Sequence, residues 1–101
     1  MYLKILSRDD KHTNTFMNIQ RVEFFYIDGT VDAIKEQINY ADLPLVENEL
    51  AQTDYEASQG IVRVGSFNLT YESGKTQYII FDGVAFLCND AGKTVDRYLA
   101  N

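Results

Sequence analysis

The chain has 101 residues, 46% of them hydrophobic and 13% aromatic, and a formal net charge of −6. That size and composition fit one domain spanning residues 1–101 and exclude a disordered tail. No apolar run approaches the roughly 20 residues that cross a bilayer, and one cysteine with one histidine excludes a disulfide framework and a zinc site.

Met1 to Ser7, MYLKILS, reads as a first strand with Leu3 and Ile5 on one face and Tyr2 and Leu6 on the other. It lacks the long apolar core and cleavage site of a signal peptide, so a cytoplasmic location is expected. Arg8 to Thr15 has the composition of an exposed loop. Beyond it, Val22, Phe24 and Tyr26 alternate with Glu23, Phe25 and Ile27 in a second strand, expected to pair with the first as an antiparallel hairpin. His12 lies in the loop beside Asp9, Asp10 and Lys11. An acid–base cluster can be drawn there, but a loop tip positions catalytic groups poorly, so a small enzyme using His12 is the last of three functional readings.

Asp28-Gly29 ends the second strand. Thr30 is the expected cap of a helix in which Val31, Ile34, Ile38 and Ala41 form one stripe, leaving Asp32, Lys35, Glu36 and Asn39 to water. Asp42 is the expected cap of a second, shorter helix that groups Leu43, Val46 and Leu50, with Pro44 in its first turn. A strand reading of either segment is the alternative. In Ile61 to Tyr71 the apolar positions shift from even (Val62, Val64) to odd (Phe67, Leu69, Tyr71), which predicts a bulge at Gly65-Ser66.

Leu69–Thr76 and Leu87–Thr94 share the pattern Leu-x-x-acidic-small-Gly-Lys-Thr. The ending is that of a phosphate-binding loop, but leucine stands where such a loop needs its first glycine. Both copies instead fit a type I turn followed by a left-handed glycine, Gly74 and Gly92. Midway between them, Asp82-Gly83 separates apolar runs and predicts a further hairpin. Tyr78 to Phe81 and Val84 to Cys88 are apolar on both faces, so both sides of the sheet centre need cover. Helices would supply one cover, and a curled part of the sheet or a second copy of the chain the other; hence a homodimer is considered. Cys88 is expected in the core, and Thr94 to Asn101 reads as a last strand or a terminal helix. The predicted fold is α+β: an N-terminal β-hairpin, one or two helices and a C-terminal antiparallel β-meander.

Charge is unevenly spread: +1 over residues 1–27, −7 over 28–56 and 0 over 57–101. An acidic chain with a pI near 4.5 is a poor binder of phosphates. Tyr71, Tyr78 and Phe86 offer base-stacking rings, but without the signature of sheet-based RNA binders. No cofactor or metal is implied, and neither direct nucleic-acid nor membrane binding is expected. The expected function is a non-catalytic protein-binding module, in the manner of an inhibitor or adaptor, which presents an acidic surface to a basic or nucleic-acid-handling protein. Its surface would comprise Asp32, Glu36, Glu47, Glu49, Asp54 and Glu56, with Tyr40 and Tyr55 as anchors. The first alternative is a protein that binds or sequesters a small ligand.

Overall fold

The computed structural model describes residues 1–7, 13–30, 32–34, 36–37 and 60–100. Seven strands follow one another: β1 (Tyr2–Ser7), β2 (Thr13–Phe16), β3 (Ile19–Gly29), β4 (Val62–Tyr71), β5 (Thr76–Phe81), β6 (Gly83–Cys88) and β7 (Thr94–Leu99). They form a four-stranded sheet in the order β2-β1-β6-β7 and a three-stranded sheet in the order β3-β4-β5. Every neighbouring pair is antiparallel.

The α+β expectation is overturned. Strands make up 69% of the described residues and helix 7%, and no described helix reaches seven residues. The predicted first helix survives as a helical turn at 32–34 and 36–37. Thr30 caps it, its carbonyl accepting from Ile34 N at 3.0 Å and its hydroxyl from Ala33 N at 3.2 Å. Ile38, Ala41 and the predicted second helix lie outside the described residues. The predicted exposed loop overlaps β2 at residues 13–15, whose polar sequence hid the strand: Asn14 and Phe16 are half-buried while Thr13 and Thr15 face water.

Two expected hairpins are also corrected. β1 pairs with β2, placing Leu3 opposite Phe16 and Ile5 opposite Asn14, whereas β3 pairs with β4 in the other sheet. The crossing runs through Asn18 at φ 58°, and Ile19 N is tied to the Met1 carbonyl at 2.8 Å. Asp82-Gly83 is a corner between sheets rather than a hairpin, because β5 belongs to one sheet and β6 to the other. Only Gly83 of that pair has positive φ, 146°, where a type I′ turn needs both residues so. The apolar runs on either side are thus strands of two sheets: Ile79, Phe81, Ala85 and Leu87 face the core between them, whereas Ile80 is buried on the outer face of its sheet.

The repeated glycine turns form as predicted. Gly74 and Gly92 have φ of 89° and 83°, and each donates its N–H at 2.9 Å to the carbonyl three residues back, Tyr71 or Asn89. Asn89 Oδ1 also accepts from Ala91 and Lys93 N, each at 3.0 Å. The C-terminal segment takes its strand alternative, as β7.

Between the sheets lies an aromatic core. Phe67 and Phe81 stack with ring centres 4.7 Å apart, Phe24 lies 5.4 Å from Phe67, and Tyr98 reaches across from β7 to stand edge-on to Phe67 at 5.0 Å. Leu3, Ile5, Ala85 and Leu87 complete the packing from the four-stranded sheet. No bulge interrupts Gly65-Ser66, since the register with β3 and β5 runs through it unbroken. Val62 and Val64 instead face outward with Ile27 and Gly29, where Ile34 of the helical turn packs 3.6 Å from the Cβ position of Gly29.

Candidate acidic surface and polar groove

The helical turn lies near the start of the acidic segment and is fixed to the outer face of the three-stranded sheet. Ile34 is wholly buried, while Asp32 and Glu36 on either side of it are exposed. Residues four apart lie on one face of a helix, so the two carboxylates project together, away from the sheet that holds Ile34. Farther along, the Tyr78 hydroxyl donates to Gln37 Oε1 at 3.4 Å. Tyr40, Glu47, Glu49, Asp54, Tyr55 and Glu56 lie outside the described residues.

Asp28, the first carboxylate of the segment, is differently placed. Arg63 grips it with Nε to Oδ1 at 2.7 Å and Nη2 to Oδ2 at 2.9 Å. That hydrogen bonding holds the Asp28 carboxyl below its ordinary value, and the guanidinium also lies 5.1 Å over the Tyr26 ring. Asp28 is thus matched by a cation, whereas Asp32 and Glu36 have no ion-pair partner among the described residues.

A second feature was not anticipated from the sequence. On the outer face of the three-stranded sheet a groove of about 350 Å³ is lined by Arg21, Glu23, Asn68, Thr70, Thr76 and Tyr78. Two rows across the strands build it: Arg21 opposite Thr70 opposite Thr76, and Glu23 opposite Asn68 opposite Tyr78. Arg21 Nη2 donates to Glu23 Oε1 at 2.8 Å, so the groove is rich in hydrogen-bonding groups but its two charges neutralise each other. Only the register reveals it, because β3 is distant in sequence from the consecutive strands β4 and β5 that it joins. A wider, shallower cleft of about 550 Å³ borders the β4–β5 turn at Met17, Asn18, Tyr71, Glu72, Ser73 and Lys75.

The remaining sequence candidates separate. His12 lies outside the described residues. Cys88 is buried, with its sulfur 3.9 Å from the Thr94 hydroxyl. Tyr71 and Tyr78 occupy opposite faces of one sheet and Phe86 belongs to the other, so the three rings form no common stacking platform. Among the described residues no group of three or more His, Cys, Asp or Glu is placed to hold a metal ion, and no helix is long and apolar enough to cross a membrane. Comparison with family models, curated proteins and solved structures finds no match to this chain.

Proposed function

We propose that the protein is a non-catalytic binding domain of the cytoplasm, whose acidic segment, residues 28–56, engages a basic protein partner such as one that handles nucleic acid. The observation that carries this reading is the anchored turn: Ile34 buried, Asp32 and Glu36 exposed beside it. A segment fixed at its start to a rigid sheet loses less conformational entropy on binding than a free acidic tail. The charge of −7 over 29 residues then steers a cationic surface toward it, an attraction that weakens with salt. Such a domain acts by occupying the partner's basic surface, as an inhibitor or adaptor does.

The test compares capture of cytosolic proteins by the tagged domain and by the double variant Asp32→Lys with Glu36→Lys, at low and high salt. Basic proteins retained at low salt, released at high salt and absent from the variant are the expected result. Equal capture by both forms overturns the reading. The polar groove favours a second one, a small polar ligand held on the sheet. A melting-temperature screen against metabolites addresses it, since a ligand at 100 times its dissociation constant stabilises by about 2.7 kcal/mol.

A further inference from the structure

The two sheets leave four strands at an edge: β2 and β7 in one, β3 and β5 in the other. Each edge strand presents a row of backbone N–H and C=O groups with no strand beside it among the described residues. Three of the edges are poor templates. β2 has four residues and β5 six. β7 has six, and its centre is Asp96-Arg97, so antiparallel pairing of two copies about that centre opposes either two aspartates or two arginines.

β3 is different. It runs for 11 residues, has no proline or lysine, and carries at its middle the uncharged run Phe24-Phe25-Tyr26-Ile27. Phe25 is 48% exposed and Tyr26 52%. Natural sheets protect long edges with charge, proline or a covering element, and the centre of β3 lacks the first two.

We propose that the free edge of β3 is a homodimer interface, where two copies join antiparallel about a two-fold axis at Phe25 and unite their three-stranded sheets into one of six strands. A two-fold axis perpendicular to a sheet keeps each side chain on its own face, so the residues placed opposite one another share a face. Centred on Phe25, that rule sets Phe25 against its counterpart, Phe24 against Tyr26, Glu23 against Ile27, Val22 against Asp28 and Arg21 against Gly29. Nine residues from each copy pair with no like charges opposed. Centring on Glu23 would oppose two glutamates. The same strand thus offers the longest open hydrogen-bonding edge among the described residues, aromatic cross-strand partners and a register that charge permits.

Sedimentation velocity of the purified full chain at about 100 µM tests the interface, with concentration dependence following from mass action. The expected species has the mass of two 11.6 kDa chains. Phe25→Lys puts two ammonium groups on the axis and yields monomer, whereas Val95→Lys, at a 53% exposed site on the β7 edge, remains dimeric. Circular dichroism checks that each variant folds; should Phe25→Lys fail to, Phe25→Thr retains β propensity and weakens the dimer by about tenfold or more. Monomeric wild-type protein overturns the interface, as does a dimer that the folded Phe25 variants leave intact. Because no partner protein is present, failure here is distinct from failure of the acidic-surface reading.

Discussion

Gly65 and Phe81 face each other across β4 and β5, and the missing side chain of the first makes room for the ring of the second. A Cβ on Gly65 would lie 2.5 Å from Phe81 Cε1 and 2.9 Å from the Ala100 Cβ. In that space the Phe81 ring lies almost parallel to Phe67, at 7°, and Tyr98 of the opposite sheet closes over Phe67 edge-on at 86°. One glycine therefore sets the geometry at which the two sheets meet.

Gly65→Ala is expected to destabilise the fold by about 1–3 kcal/mol, the usual cost of forcing a methyl group into a packed core, although alanine costs less backbone entropy than glycine. Urea denaturation measures the difference, and the near-ultraviolet dichroism of the aromatic cluster should weaken with it. Wild-type stability in this variant would show that Phe81 moves aside freely.

Gly74 and Gly92 call for a different substitution pattern, because conformation constrains them and space does not. Nothing lies within 4 Å of a Cβ placed at Gly74, and at Gly92 the nearest atom is the Tyr2 hydroxyl at 3.7 Å. Both have φ near 85° only because no Cβ meets the following carbonyl. Alanine at either position is expected to cost about 1–2 kcal/mol. Asparagine, which tolerates the left-handed region, should cost less. Thermal melts of the four single variants check the order glycine, asparagine, alanine at both turns.

Tyr98 links the fold to alkaline pH. Burial, reinforced by Asp96, pushes its phenol up to about 12 from an ordinary 10.0. Because the folded state favours the neutral phenol, its contribution to stability is complete below pH 10.0, falls as pH rises, and is lost once pH passes about 12. Stability measured by denaturant between those limits should fall more steeply in the wild type than in Tyr98→Phe, which keeps the ring and removes the titrating group. Parallel profiles would place the alkaline transition in other residues.

Local signals were the legible part of this sequence. The repeated turns at Gly74 and Gly92 were readable because a left-handed glycine after a type I turn depends on four neighbouring residues. The strand at 62–71 was readable from its β-branched and aromatic content, but its change of apolar phase was misleading: it records two covered faces, the core side with Phe67 and Leu69, the outer side beneath Ile34. Asp82-Gly83 resembles a hairpin because a corner between two sheets and a tight turn within one both need a flexible residue between apolar runs. Helical spacing in residues 31–41 described one anchored turn correctly and was extended into a fold class it could not support. Of the candidate acidic surface, Asp32 and Glu36 were legible from that spacing, whereas the polar groove depends on the register of three strands.

Ile34 offers a way to separate the anchor from the charge. It is the buried residue of the helical turn, wholly removed from solvent and packed beside Gly29, and it carries no charge of its own. Ile34→Ala should cost about 2–5 kcal/mol if the turn unfolds with the whole domain, and less if the turn opens alone. Hydrogen exchange distinguishes the two: a local opening speeds exchange at Ala33 and Ile34, whose N–H groups bond to Thr30, and leaves β4 and β5 protected. If the turn presents the acidic segment, the same variant also weakens capture of a basic partner while leaving every carboxylate in place. Capture that survives Ile34→Ala but fails in Asp32→Lys with Glu36→Lys would assign recognition to charge alone and remove any role for the anchor.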